Sequence, residues 1–257
     1  MQFRIFKQIP KIIYGENAIL RFRELLPKEA VKGIMIVDTK VFSKIPKTFS
    51  EDKNIKLIQF NATQGEPYTW QVDQIVDELA DYFPLDFILG IGGGSTMDVA
   101  KSVSICLKNR EKANELQGWD LVKVPGVFKI GIPTIFGSGS EASRTAVLNN
   151  GAKKQGINSD HSMFDAIILD PAVSTEIDKD TKFYTAMDCY IHCVESVSGT
   201  MINQLSEGYA TKALSYCNEY FSNKMEHEEL ICVGSYYGGV SIVNSEVGIC
   251  HALSYGL

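Results

Sequence analysis

Short apolar runs alternate with amphipathic stretches from the start of the chain to Pro171. The runs at 12–14, 33–37, 55–60, 87–91, 129–135, 146–149 and 166–169 have the length and the Ile, Val and Phe content of strands. Between them, Trp70, Val72, Ile75, Val76, Leu79 and Phe83 trace one helical face, and Met97, Ala100, Val103 and Leu107 trace another. Residues 17–26 read as a further short helix, and 108–124 as polar and irregular. Strands alternating with helices predict a mostly parallel sheet covered on both faces, with ligands beyond the carboxyl ends of its strands. After Pro171 the strand-like runs stop, and helical spacing takes over at 181–198, 204–221 and 226–244. The pattern predicts an α/β domain over 1–173 followed by an all-α domain over 174–257.

The candidate ligand-binding features sit at strand ends. The run 87–91 leads into Gly92, Gly93 and Gly94, then Ser95, with Asp98 three residues on in a capping-box pattern. Bare glycines beside the free N–H groups of a helix start suit a phosphate, and a tight turn without ligand is the plain alternative. The stretch is neither G-x-G-x-x-G nor a P-loop. Asp38 closes the run 33–37, where dinucleotide domains hold a ribose, yet it precedes the glycines instead of following them. Alone, such an acid is more often a cap or turn residue. Thr134 and the turn through Gly137, Ser138, Gly139 and Ser140 close the run 129–135, so a parallel sheet can bring all three places to one cleft.

Composition narrows the class. The chain has 257 residues, 45% of them hydrophobic and 22% charged, with a net charge of −6. That balance is ordinary for a globular protein and argues against nucleic acid or an anionic membrane as the main partner. No apolar run is long enough for a bilayer, and the first residues lack a signal-peptide pattern. The six cysteines form no CxxC pair, so the thiols read as reduced and the protein as cytoplasmic.

In the helical part, Asp188 and His192 are four residues apart and share a face. Together they offer half a site for zinc or iron(II), with an ordinary helical ion pair as the alternative. His251, in a small and apolar setting, is a third candidate, although a histidine in such a place is usually satisfied by a backbone carbonyl. Cys189 and Cys193 lie on another stripe and read as core, and His227 sits in an acidic surface run. Arg144 directly follows the Gly-Ser turn and can hold a substrate carboxylate in bidentate fashion, with His161 in the next loop able to face the same cleft.

Five stretches in this order, GGGSTMDVAK (92–101), PTIFGSGSE (133–141), ILDP (168–171), MDCYIHCVES (187–196) and CHALSYG (250–256), resemble the iron-containing, or group III, alcohol dehydrogenases. The resemblance implies a dehydroquinate synthase-like fold, a nucleotide-binding α/β domain followed by a helical metal domain. It also implies metal-dependent oxidation of a primary alcohol to an aldehyde in a homodimer. By position it puts Gly92, Gly93, Gly94 and Ser95 on the pyrophosphate of NAD(P). Asp38 falls near the adenosine ribose, which favours NAD, and Asp98, Thr134 and Ser138 fall around the cofactor. Asp188, His192 and His251 match three ligands of a divalent metal, zinc or iron(II). Ile135 and Ser138 stand where the family often has threonines. The fourth ligand, a histidine beyond CHALSYG, has no counterpart before Leu257, so the chain reads as a fragment.

A narrower likeness, through LQGWDLVKVPG (116–126), EASRTAVL (141–148), GINSDHSMFDAIILD (156–170) and FYTAMDCYIHCVES (183–196), is to the branch that oxidises the 8-hydroxyl of the sugar acid 3-deoxy-manno-octulosonate. There a partner aminotransferase then makes the 8-amino sugar of lipopolysaccharide, and oxygen is a possible final acceptor. Two rival readings differ in class. A dehydroquinate synthase-like lyase needs several cations for a phosphorylated substrate, and the helical part offers Lys182, Lys212 and Lys224. A non-catalytic nucleotide-binding module is the other, and net NADH formation with an alcohol separates both from a dehydrogenase.

Overall fold

The computed structural model describes residues 5–62, 65–174 and 177–254, which form two compact units. The first holds most of residues 11–135 and 144–174. Its strands are β1 (Ile12–Tyr14), β2 (Gly33–Asp38), β3 (Ile55–Phe60), β4 (Phe87–Gly92), β5 (Gly118–Trp119), β6 (Phe128–Pro133), β7 (Thr145–Asn149), β8 (Lys154–Asn158) and β9 (Ala166–Leu169). Its helices are the one-turn α1 (Lys47–Ser50), α2 (Thr69–Glu78) and α3 (Gly94–Asn109). Six strands make a parallel sheet in the order β1-β9-β6-β4-β2-β3. Every position of β2 and β4 is buried, which is why these strands read as continuous apolar runs without alternation. Met35, Val37, Leu89, Ile91, Ile130 and Ile132 build the core of one face with Phe22, Phe49 and Phe87.

The chain steps outward from β2 to β3 and then returns to place β4 on the other side of β2. The direction of winding therefore reverses between β2 and β4, and it is at the carboxyl ends beside such a reversal that open α/β sheets take their ligands. Those ends are Asp38 and Gly92.

Several expected elements differ. The stretch 17–26 is a 3-10 helix over Ala18–Leu25, held because the buried Asp170 carboxylate accepts the N–H groups of Asn17 and Ile19, each at 3.1 Å. Helix α2 ends at Glu78, short of Phe83. The polar stretch 108–124 contributes β5, which with β8 and β7 forms a separate three-stranded sheet. Strand β8, KQGIN, has no apolar alternation to reveal it and is fixed by antiparallel pairing with β7.

The second unit gathers α4 (Lys179–Ser198), α5 (Gln204–Ser222), α6 (Glu228–Ser245) and α7 (Ile249–Ser254), together with residues 5–10 and 136–143. Asp178 caps α4 by accepting the Thr181 N–H at 2.9 Å, and Asn203 caps α5 by accepting those of Leu205 and Ser206. Cys189 and Cys193 are fully buried, as their stripe predicted, and the buried Cys217 of α5 meets Cys189 at 3.5 Å. Residues 136–143 join this unit because Gly137 and Gly139, both at positive φ, let backbones meet. A Cβ on Gly137 would stand 1.9 Å from the Thr185 carbonyl oxygen, and one on Gly139 would stand 2.6 Å from the Gly239 Cα. Among the described residues, no helix is long and apolar enough to cross a membrane.

Candidate metal centre and nucleotide cradle

In the α/β unit, the β4–α3 junction forms a bare backbone cradle. Gly93 is the N-cap, in extended conformation (φ −77°, ψ −174°), and α3 starts at Gly94. The cap expected at Ser95 is thus wrong by two residues: Ser95 lies inside the first turn, its Oγ reaching the Gly65 carbonyl at 3.5 Å. With no side chain on the cap, the free N–H groups of the first turn stay open to an anion. A Cβ on Gly93 would meet nothing nearer than the Ile135 side chain at 3.2 Å, whereas one on Gly92 would stand 2.5 Å from Thr96 Oγ1 and 3.0 Å from Asp38 Cβ. Gly92 therefore serves close packing, and Gly93 is the bare position.

The sheet brings three of the expected cofactor positions together. Asp38 and Gly92 are neighbours at the winding reversal, and the Thr134 N–H donates to the Gly92 carbonyl at 2.9 Å. Asp38 is buried, and its carboxylate accepts the Lys40 N–H at 2.9 Å. Asp98 is committed elsewhere. Its Oδ2 accepts the Val147 N–H at 3.0 Å and its Oδ1 pairs with the fully buried Lys101 ammonium at 3.2 Å, pinning β7 to α3. Ser138 is exposed and belongs to the helical unit, whereas Thr134 belongs to the α/β unit.

Arg144 is engaged within its own unit. Its guanidinium pairs with Asp120, lies 2.7 Å from Asp160 Oδ1, and sits over the Trp119 ring at 5.9 Å from the centroid. His161 follows in a one-turn segment, its N–H donating to Ser159 Oγ at 3.2 Å.

In the helical unit, Asp188 and His192 stand one turn apart on α4, and α7 carries His251 to them. Their ligand atoms all lie within 4.8 Å of one another. Asp188 Oδ1 is 3.4 Å from His251 Nε2 and 3.8 Å from His192 Nε2, the second too long for a hydrogen bond. The two imidazoles stack, with centroids 4.4 Å apart and planes 12° from parallel. Burial lowers the His192 pKa, which favours the neutral ring a metal needs as ligand. The neighbouring carboxylates, Asp188 first and then Glu195, hold the His251 pKa above its ordinary value against burial, which lowers it. His227, by contrast, is exposed against Glu229, as the acidic run suggested.

Sequence reasoning passed over Glu195. It lies three residues after His192 and seven after Asp188, hence on the same stripe of α4, and that spacing is the signal that could have found it. Its carboxylate takes the His251 Nδ1 and three backbone N–H groups at the start of α7. Burial pushes its pKa up, but the bonds from Gly248, His251 and Cys250 prevail and hold it below the usual value.

A parallel sheet with a glycine cradle at its winding reversal, and a helical unit with an Asp-His-His cluster, is the combination the five motifs imply. The sequence model of the iron-containing alcohol dehydrogenases matches residues 10–171.

The chain belongs to the iron-containing alcohol dehydrogenase family.

Relatives extend the match into the helical unit. An alcohol dehydrogenase of Thermococcus barophilus is 26% identical over 271 residues, covering 99% of this chain and 70% of that protein. A sulfoacetaldehyde reductase of Bilophila wadsworthia (strain 3_1_6) is 30% identical over 259 residues, covering 95% of this chain and 66% of that protein. This chain thus spans about two thirds of their length. An alcohol dehydrogenase structure from Oenococcus oeni superposes with a TM-score of 0.88 at 19% identity, covering 97% of this chain and 69% of that one, which shows the shared fold. Membership places this chain among oxidoreductases. A divalent metal fits the Asp188, His192 and His251 cluster of this iron-containing alcohol dehydrogenase, since one carboxylate and two imidazoles are donors that zinc and iron(II) accept. NAD fits equally, and a relative from Bacillus methanolicus, 25% identical over 259 residues, is an NAD-dependent methanol dehydrogenase.

Proposed function

We propose that this chain carries the metal-binding and nucleotide-binding residues of a dehydrogenase that oxidises a primary alcohol to an aldehyde. The observation that carries the reading is the convergence of Asp188, His192 and His251 from two helices. When bound, the divalent cation supplies Lewis acidity that lowers the pKa of an alcohol hydroxyl, and NAD accepts the hydride. The chain's own residues do the holding. Asp188, His192 and His251 present one oxygen and two ring nitrogens, and iron(II) or zinc satisfies that set. Gly93 and the first turn of α3, with Gly94 and Ser95 in it, would receive the pyrophosphate, and Gly92 would let that turn pack close to Asp38. Asp38 favours a free ribose over a 2′-phosphate, hence NAD over NADP.

For substrate we propose the terminal hydroxyl of 3-deoxy-manno-octulosonate, on the strength of the stretches 116–126, 141–148, 156–170 and 183–196. Arg144 and His161 would face its carboxylate, with a homodimeric enzyme feeding a partner aminotransferase in lipopolysaccharide synthesis. A second reading, a general alcohol or polyol dehydrogenase, is favoured by one observation: Arg144 is already held by Asp120 and Asp160, so a sugar-acid carboxylate must displace them. The test is NADH formation by metal-loaded protein over a panel of the sugar acid, simple primary alcohols and polyols. Turnover on the sugar acid with a KM well below the neutral alcohols supports the narrower reading, and comparable KM values support the general one. Metal and NAD binding with neither NADH formation nor oxygen uptake on any member would sink both.

A further inference from the structure

We infer that Glu195 is a positioning residue for the metal centre: it fixes His251 in the tautomer and place from which Nε2 can meet a cation. The inference rests on the metal-site reading above and concerns a residue outside the ligand set. His251 Nδ1 lies 2.5 Å from Glu195 Oε2. Carboxylates face both ring nitrogens, and the Glu195 contact is much the shorter, so in the neutral ring Nδ1 carries the proton and the lone pair is left on Nε2, the nitrogen 3.4 Å from Asp188 Oδ1. A ring whose far nitrogen is held this way offers its near nitrogen in one orientation, which a ligand needs.

The same carboxylate anchors the backbone that carries the ring. The Cys250 N–H donates to Oε1 at 2.6 Å, the His251 N–H to Oε1 at 3.3 Å, and the Gly248 N–H to Oε2 at 2.9 Å. Glu195 thus ties α7 to α4 by four hydrogen bonds, all to the segment that bears one ligand. Residue 248 is shaped for the approach. A Cβ there would stand 2.8 Å from both Glu195 Cδ and Oε1, so any larger residue must push the carboxylate away. Two features of the sequence, a glutamate on the ligand stripe and a glycine three residues before His251, serve one arrangement.

The experiment uses zinc as the probe, metal-free protein, and the variants Glu195→Gln, Glu195→Ala, Gly248→Ala and His251→Ala. Zinc affinity by chelator competition should fall about 10- to 100-fold in Glu195→Gln and Gly248→Ala, the usual loss when a histidine ligand loses its outer partner. Nitrogen-15 spectra of the metal-free wild type at alkaline pH should show His251 protonated on Nδ1, and Glu195→Gln should mix the two tautomers. Unchanged zinc affinity in folded Glu195→Gln and Glu195→Ala overturns the inference, as does an Nε2–H tautomer in the wild type. The two readings separate cleanly. Wild-type protein that binds no zinc, or a His251→Ala variant that binds it unchanged, defeats the metal site itself. The tautomer spectrum of the unsubstituted protein judges Glu195 even if a variant fails to fold.

Discussion

Gly92 and Gly93 are adjacent and chemically identical, yet their surroundings assign them different work. A Cβ on Gly92 collides with Thr96 and crowds Asp38, while a Cβ on Gly93 meets only the flexible end of Ile135. Gly92→Ala should therefore cost about 1–3 kcal/mol of stability by overpacking, read by chemical denaturation. Gly93→Ala should leave stability within about 1 kcal/mol and weaken NAD at least tenfold in calorimetry, because the methyl fills the bare position at the helix start. Wild-type NAD affinity in folded Gly93→Ala would remove the cradle from the proposal. The metal ligands allow the complementary experiment. His192 is a buried member of the cluster, so His192→Ala should abolish retention of metal through dialysis, with elemental analysis as the check.

At the scale of elements, single side chains decide how strands and helices meet. Asp98 ties α3 to β7 through the Val147 N–H and neutralises Lys101, whose side chain is fully buried. Removing one partner of a buried pair leaves a charge without compensation, so Asp98→Ala should cost about 3 kcal/mol. If Asp98 contacts the cofactor instead, the variant will lose NAD affinity while its unfolding midpoint hardly moves. In the helical unit, α6 approaches the 136–143 loop so closely that a Cβ on Gly239 would stand 2.7 Å from the Gly139 carbonyl oxygen. Backbone cannot step aside as a side chain can, so Gly239→Ala should be among the more destabilising glycine substitutions, again by about 1–3 kcal/mol. Gly208 has nothing within 4 Å of its Cβ position and is the natural control.

The whole molecule should respond to its ligands unit by unit. Metal at a hundredfold excess over its Kd should stabilise the folded state by about 2.7 kcal/mol, and chelation should reverse the gain. Hydrogen exchange should locate the protection: zinc should slow amides at 188–195 and 248–251, and NAD those at the start of α3. Protection by zinc confined to the α/β unit would contradict the metal assignment. The order of strands and helices was legible in the sequence because burial on both faces demands unbroken apolar runs, and because helices must repeat their apolar face every three or four residues. The glycine turn and the Asp188–His192 pair were legible for the same local reason, as neighbours along one element. The motifs, read in order, carried the family. Only the tertiary structure could bring Asp38 beside Gly92, since the reversal of winding between β2 and β4 is a property of strand order and not of spacing. Tertiary contacts also moved the helix cap from Ser95 to Gly93, spent Asp98 and Arg144 on internal partners, and raised β8 from a run with no pattern of its own. Glu195 belongs to the same class: its stripe was visible, but its purpose depends on α7, a segment more than fifty residues away that packing alone delivers.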